Sequence, residues 1–275
     1  METLKSWKLD FGEEDFSALR ALVKEHTGIH LSEQKRELVY GRLSRRLRAL
    51  GLESFRTYRE LLEKNEGDEL VQFCNAITTN LTSFFRETHH FQYLREHLLA
   101  PRAADPRGLR RLRFWSAGCS TGEEPYSLAM TIHEALPDVR RWDVKILATD
   151  LDTDVLARGA RGLYDEERVR NLSPERIERF FRRQGAGFAV RDELRDLISF
   201  RELNLMHTLP MKGPLDAIFC RNVVIYFDKD TQRQLFARIA QLQGPGGILF
   251  LGHSETLFRV SDDYTLVGKT VYRRN

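Results

Sequence analysis

The sequence predicts an α/β protein in two parts: a small helical bundle, then a Rossmann-like domain with a mainly parallel sheet and a small antiparallel β insertion. Three observations predict it. Residues 1–80 read as helices only. From residue 111 onward, buried strands alternate with helices, as in a parallel sheet. And residues 111–127, R-L-R-F-W-S-A-G-C-S-T-G-E-E-P-Y-S, read as strand, Gly-rich loop and helix, which is how nucleotide-binding α/β domains begin.

The chain has 275 residues, enough for one large domain or two modest ones. No apolar run approaches the ~20 residues that a membrane helix needs. The opening M-E-T-L-K-S-W-K-L-D lacks a signal-peptide core, so a cytoplasmic protein is expected. Cys74, Cys119 and Cys220 are few, odd in number and far apart, which points to a reducing compartment without disulfides or a zinc site. A net charge of +3 is too small to imply nucleic acid.

In the first 80 residues, Phe16, Leu19, Leu22 and Val23 make one apolar stripe that Gly28 ends. Ser32 can cap a second helix with Leu38, Val39, Leu43, Leu47 and Leu50 inward and Gly51 as its stop. Ser54 can cap a third helix. N-E-G-D at 65–68 is a break, and Asp68 can cap a fourth. The second helix is crowded with Lys35, Arg36, Arg42, Arg45, Arg46 and Arg48. An ordinary solvated face explains such a run, and so does a docking surface for an acidic partner through Arg42, Arg45, Arg46 and Arg48. Nucleic acid fits less well, because the nearby aromatics look like core and not like a stacking platform.

Residues 81–110 are expected to be a linker and connecting helix. Phe84 and Phe85, in N-L-T-S-F-F-R at 80–86, are read as anchors between the domains, with Asn80, Thr82 and Arg86 interleaved and able to face a cleft. The adjacent His89 and His90 are read as structural. Their side chains should diverge on a helix, so no metal site is expected. A basic linker is expected over 101–113.

The α/β domain is expected over 111–275. V-K-I-L-A-T-D at 144–150 is a buried strand ending in an acid, and such an acid can hold ribose hydroxyls. Asp150 capping the next helix competes with that reading, although Asp152 could cap it instead. Residues 153–183 look helical, with Ser173-Pro174 as a start signal. Phe188 and Val190, then Leu197, Ile198 and Phe200, read as short strands of a β insertion over about 182–200, and Asn204 follows a strand. D-A-I-F-C-R-N at 216–222 is another buried strand, ending in Arg221 and Asn222, with Tyr226 soon after. The chain closes on a hairpin turning at Gly268-Lys269, a feature of methyltransferase sheets more than of dehydrogenase sheets. Ligands in open sheets sit at the carboxyl ends of the strands. The clusters 118–124, Asp150, Asn204, Arg221–Asn222 and 253–255 all fall there.

The Gly-rich loop does not suit a dinucleotide. Its glycines run G-x-x-x-G, and Glu123 and Glu124 stand at the helix mouth, where a pyrophosphate would have to bind. A cationic ligand suits that charge, and S-adenosylmethionine (AdoMet) carries a sulfonium and an ammonium. The alternative is that the two acids only complement the helix dipole.

Taken together, N-L-T-S-F-F-R-E at 80–87, S-A-G-C-S-T-G-E-E-P-Y-S at 116–127, A-T-D-L-D at 148–152, D-A-I-F-C-R-N-V-V-I-Y-F at 216–227 and G-H-S-E at 252–255 resemble the chemotaxis receptor methyltransferases of the CheR type. The resemblance covers nearly the whole chain. It implies methyl transfer from AdoMet to glutamate side chains on chemoreceptor signalling helices, leaving S-adenosyl-L-homocysteine. It implies cofactor contacts from Asn80, Thr82, Arg86, Glu124, Asp150, Asn204, Leu205, Arg221 and Asn222, with Asp150 on the ribose and Glu124 at the methionine end. It places Arg86 and Tyr226 beside the transferring methyl as catalytic residues, and it turns the basic helix toward the receptor. It implies an opposing methylesterase in the pathway, and a monomer is expected. Some members bind a receptor tether peptide on the β insertion. Here that insertion is short, with only Gly185 and Gly187 flanking its turn, so tethering is not expected.

The chemistry is consistent with this. A glutamate is already a carboxylate nucleophile at pH 7, its unperturbed pKa being about 4.3. It needs placement and dehydration and not a general base. Cys119 and Cys220 are read as buried fillers and not as nucleophiles. A nucleic-acid amino-methyltransferase would carry an (Asp/Asn)-Pro-Pro-(Tyr/Phe) signature where this chain has R-N-V-V-I-Y. An AdoMet-binding sensor without turnover would not need Arg86 and Tyr226.

Overall fold

The computed structural model describes residues 9–64, 68–105 and 107–275. The opening segment and the break expected at 65–68 thus lie largely outside the described residues. The chain divides into two compact units, one ending at Thr79 and the other running from Asn80 to Asn275.

The first unit holds α1 (Glu13–Thr27), α2 (Arg36–Leu50), α3 (Phe55–Glu63) and α4 (Glu69–Ile77). Glu13, Glu14 and Asp15 open α1, where acids offset the helix dipole. The predicted stops Gly28 and Gly51 close α1 and α2, and the Ser54 hydroxyl caps α3 by accepting from Thr57 N. Phe16, Leu19, Val23, Val39, Leu43 and Leu47 are fully buried, whereas Leu50, expected inward, is exposed. Ser32 precedes a 3₁₀ turn and makes no cap bond, and Asp68 makes none either.

Two of the four arginines expected to meet a partner are used inside this unit. Arg46 and the Tyr58 hydroxyl both donate to the buried Glu69, tying α2, α3 and α4 together. Arg42 donates to the carbonyls of Ile77 and Thr78 and to the Thr79 hydroxyl, a cation at the carboxyl end of α4. These contacts give Arg42 and Arg46 framework roles in the bundle. Arg45 and Arg48 stay exposed.

In the second unit, α5 (His89–Leu94) runs through a π-turn (Arg95–Leu99) into α6 (Ala100–Ala104). The basic linker expected over 101–113 is therefore partly helix, and its last residues already belong to β1 (Arg111–Ala117). There follow α7 (Glu123–Ala135), β2 (Asp143–Asp150), α8 (Thr153–Arg161), β3 (Leu163–Tyr164), α9 (Glu166–Val169) and α10 (Pro174–Phe180). Next are β4 (Phe181–Gln184), β5 (Gly187–Val190), α11 (Asp192–Arg195), β6 (Ile198–Glu202) and β7 (Ala217–Cys220). The chain closes with α12 (Lys229–Gln241), β8 (Ile248–Leu251), β9 (Tyr264–Gly268) and β10 (Val271–Arg274).

The main sheet has the order β6-β2-β1-β7-β8-β10-β9. Its first five strands are parallel, and β10 pairs antiparallel with both β8 and β9. The small sheet β3-β5-β4 is antiparallel. This corrects the expected β insertion. Its strands are drawn from 163–190, and Ile198 and Phe200 belong to β6, in register with Ile146 and Ala148 of β2. Apolar alternation reads the same in either sheet, and only long-range pairing separates them.

Phe84 and Phe85, read as anchors, are core of this unit. Phe84 packs edge-on against Tyr164 and Phe181, and Phe85 packs against Phe91. His89 and His90 also depart from expectation. Their rings lie 4.1 Å apart, and both reach the carbonyl of Lys269 at the hairpin turn.

Candidate functional site

Because β1, β2, β6, β7 and β8 are parallel, their carboxyl ends share one edge, and the polar clusters sit there. The loop after β1 is built first. Gly118 has φ +79°, and a Cβ there would lie 2.3 Å from Val223 Cγ2, so the position takes no side chain. The Gly118 and Cys119 amides donate to Thr149 O at 2.8 and 2.9 Å, which folds the loop over the end of β2. The Ser120 amide then donates to Asp150 Oδ2 at 2.8 Å, and the Asp152 amide to Asp150 Oδ1 at 3.0 Å. Helix α8 is capped by Asp152, whose Oδ1 accepts from the Asp154 and Val155 amides. Asp150 is therefore not the cap. It is a carboxylate held by two backbone donors, with lone pairs left for hydroxyls. Burial raises its pKa, and the Asp152 and Ser120 amides oppose that rise.

Glu123 and Glu124 behave differently from one another. Glu123 is fully buried and points inward, accepting from the Thr121 hydroxyl (2.6 Å) and from Arg168 (2.9 Å). Glu124 accepts from the Ser116 hydroxyl (2.7 Å) and from Arg221 Nη1 (3.0 Å). Two carboxylates at the helix mouth were expected to favour a cation, and each is paired with an arginine. Burial raises the Glu124 pKa, and Arg221 and Ser116 pull it back.

Arg221 is the hub. Its side chain is 2% exposed. It meets Glu124, lies 3.6 Å from Glu87 Oε2 and donates to the backbone carbonyl of Arg86. Segment 80–87 is thereby fixed at both ends, because Asn80 Nδ2 donates to Asp152 Oδ2 at 2.6 Å and the Ser120 hydroxyl donates to Asn80 O at 3.1 Å. Phe85 and Glu87 have positive φ (52° and 58°), a costly conformation for non-glycine residues that recurs at working sites. Between them Arg86 turns its Nη1 onto Leu81 O at 2.9 Å.

The remaining residues lie along the same edge. Asn204 and Leu205 follow β6, with Asn204 Oδ1 accepting from Met206 N and Leu205 O from Arg238. Asn222 (φ 58°) follows β7, and the half-buried Tyr226 ends a 3₁₀ turn (Val224–Tyr226). Thr82 lies half-buried in the 80–87 segment. Cys119 and Cys220 are buried, and burial pushes both thiols well above their ordinary range, which leaves no thiolate to act as a nucleophile. A cavity of about 420 Å³ lined by His133, Trp142 and Lys145 lies at the amino-terminal end of β2, away from these clusters.

Sequence reasoning placed Ser120 and Glu255 in clusters at the strand ends but gave no individual role to them or to Ser116, Glu87 or Arg168. Each acts by holding another site residue, a signal visible only in contacts. Glu124 and Glu87 both lie against Arg221, and Asp150 is held by backbone amides. Acids gathered at the strand ends suit AdoMet, which carries a sulfonium and an ammonium, better than a pyrophosphate. Asp150, with acceptor capacity left for ribose hydroxyls, and Glu124, able to take an ammonium, fit this cofactor.

Fold and site together define an AdoMet-dependent methyltransferase. The family model described as "CheR methyltransferase, SAM binding domain" matches residues 80–273, and that described as "CheR methyltransferase, all-alpha domain" matches residues 14–78. A chemotaxis protein methyltransferase 2 of Pseudomonas aeruginosa is 48% identical, the match covering 95% of this chain and 93% of that one. A chemotaxis protein methyltransferase of Escherichia coli (strain K12) is 44% identical, over 96% of this chain and 92% of the relative. One from Borreliella burgdorferi is 36% identical, over 97% of this chain and 96% of the relative. The chain belongs to the CheR methyltransferase family, and its activity is AdoMet-dependent methylation in chemotaxis. No helix among the described residues is long and apolar enough to cross a membrane.

Proposed function

We propose that the protein methylates glutamate side chains on the signalling helices of chemoreceptors. The observation that carries this reading is the Arg221 hub, which ties Glu124 to the backbone of Arg86 and so couples a cofactor-type carboxylate to a guanidinium at the same edge. Bound AdoMet supplies an electrophilic methyl on a sulfonium, and its transfer to a carboxylate oxygen leaves S-adenosylhomocysteine. Asp150 holds the ribose and Glu124 the methionine ammonium, with Asn80, Thr82, Asn204, Leu205 and Asn222 lining the rest. Arg86 releases Leu81 O to orient the acceptor carboxylate, and Tyr226 flanks the methyl. The acceptor is ionised at neutral pH, so the residues supply placement and exclusion of water.

Of the four α2 arginines expected to meet a partner, Arg45 and Arg48 are exposed and are the ones proposed to meet an acidic receptor surface. A methylesterase would reverse the modification, and the protein would act as a cytoplasmic monomer. The short small sheet is given no tether peptide.

The test is to incubate the protein with methyl-labelled AdoMet and membranes holding chemoreceptors, and to follow base-labile label on the receptor. Arg86→Ala should lose label about 100-fold while binding AdoMet within a fewfold of wild type. Wild-type protein that binds AdoMet and labels no receptor would refute the acceptor, and equal labelling by Arg86→Ala would refute the role of Arg86.

A further inference from the structure

We infer that Glu255, from the G-H-S-E segment after β8, is the positioning residue of the transfer step. It sets the backbone that carries Asn222 and Tyr226, and the inference rests on the site roles proposed above for those two residues. Glu255 is 5% exposed and, among the described residues, meets no cation. Its carboxylate instead accepts four backbone amides. Oε2 takes Gly252 N at 2.6 Å and Asn222 N at 2.8 Å, and Oε1 takes Val223 N at 2.9 Å and Ile225 N at 3.2 Å. Three of the four donors lie in the loop after β7 and one at the end of β8, so one side chain ties the two strand ends together.

The donors show why the group must be a carboxylate. Both oxygens face two N–H groups, and only an ionised carboxylate offers acceptors on both sides. The loop it holds is strained. Asn222 has φ +58°, and a loop in that state persists only where its surroundings over-determine it. Gln232 supplies the complementary half by donating through Nε2 to Val224 O at 2.8 Å and Phe227 O at 3.0 Å. The Asn222, Val223 and Ile225 amides thus end on Glu255, and the Val224 and Phe227 carbonyls on Gln232. Gly252 completes the cradle, since a Cβ there would lie 2.8 Å from Glu255 Oε2 and 2.8 Å from Asn222 N. With the backbone locked on both sides, the half-buried Tyr226 is presented from a fixed turn.

The chemistry requires that fixity. Methyl transfer is in-line, and an error of about 1 Å in a positioning group costs on the order of 100-fold in rate. Among the described residues Glu255 hydrogen-bonds to backbone amides alone, so it acts through Asn222 and Tyr226.

Glu255→Gln is isosteric but turns an NH₂ toward two N–H donors. It is compared with Glu255→Asp, which keeps both acceptors on a shorter arm, and with Asp216→Asn. Asp216 accepts from Arg113 N and Arg102 next to the amino-terminal end of β7, so it controls for loss of a structural carboxylate. Receptor labelling, AdoMet binding by calorimetry, melting temperature and amide exchange are measured on the full chain. Glu255→Gln should lower kcat about 100-fold, leave the acceptor KM within a fewfold and speed exchange at Asn222, Val223 and Ile225. Glu255→Asp should fall between it and wild type, and Asp216→Asn should lose melting temperature and keep kcat. If Glu255→Gln does not fold, Glu255→Asp alone must still show reduced kcat at unchanged KM. A wild-type kcat in either folded Glu255 variant, or an equal loss in Asp216→Asn, would overturn the inference. Failure of the wild type itself to label receptors would instead overturn the proposed acceptor, and this inference with it.

Discussion

Replacing Arg221 by Met isolates the hub. The guanidinium is 2% exposed and faces Glu124 (12%) and Glu87 (11%). Taking one partner from a buried ion pair costs about 3–5 kcal/mol, because the other charge stays buried and unpaired. Against a domain stability of roughly 5–15 kcal/mol, the loss is large. It also depends on pH. Burial already holds the Glu124 pKa above its ordinary value, and removing Arg221 raises it further. A carboxyl raised in the folded state stabilises most when protonated, and that contribution is lost as pH rises through the folded pKa. The deficit of Arg221→Met should therefore be larger at pH 8 than at pH 5.5, by about 1–2 kcal/mol. Urea unfolding followed by tryptophan emission reports it, since Trp115 and Trp142 both lie in this unit. Calorimetry should show AdoMet binding lost in Arg221→Met and partly kept in Arg221→Lys, whose single ammonium cannot reach three acceptors. A deficit below about 1 kcal/mol at pH 8, or one that grows on acidification, would refute the hub.

Two further outcomes follow from the same contacts. Burial lowers the His90 pKa to about 3, with Arg221 and His89 adding to the shift, so the ring stays neutral in the fold while an unfolded histidine titrates near 6.5. Its contribution is complete above about pH 6.5 and fades as pH falls toward the folded value, so wild type should lose about 2 kcal/mol more than His90→Gln between pH 7.5 and 5. Equal slopes in the two unfolding series would exclude a buried neutral imidazole. Gly118→Ala would set a Cβ 2.3 Å from Val223 Cγ2 at φ +79°. It should destabilise the protein by about 1–3 kcal/mol and weaken AdoMet binding, and a wild-type melting temperature with wild-type affinity would count against this loop geometry.

Much of the fold was legible because its signals are local. The Ser54 and Ser173 caps, the stops Gly28 and Gly51, and the turn of loop 118–122 each involve residues a few positions apart. The apolar stripe of α2 was visible through Val39, Leu43 and Leu47, and failed at Leu50, on the last turn. β6 was assigned to the wrong sheet because Ile198 and Phe200 alternate equally well in either one. The site was legible as a set of strand ends, since parallel strands bring their carboxyl ends to one edge whatever the details.

The sequence by itself determined the family, the helical and α/β parts and the acids at the strand ends. Tertiary structure decided which acid does what. Asp152 rather than Asp150 caps α8, Glu123 turns inward to Arg168, and Arg42 and Arg46 serve the bundle. It also decided that Glu124 meets Arg221 across 97 residues and that Glu255 meets four amides, three of them about 30 residues away. A charge's role is set by the partners it desolvates with, and partners that distant in sequence are chosen by packing, which no local pattern encodes.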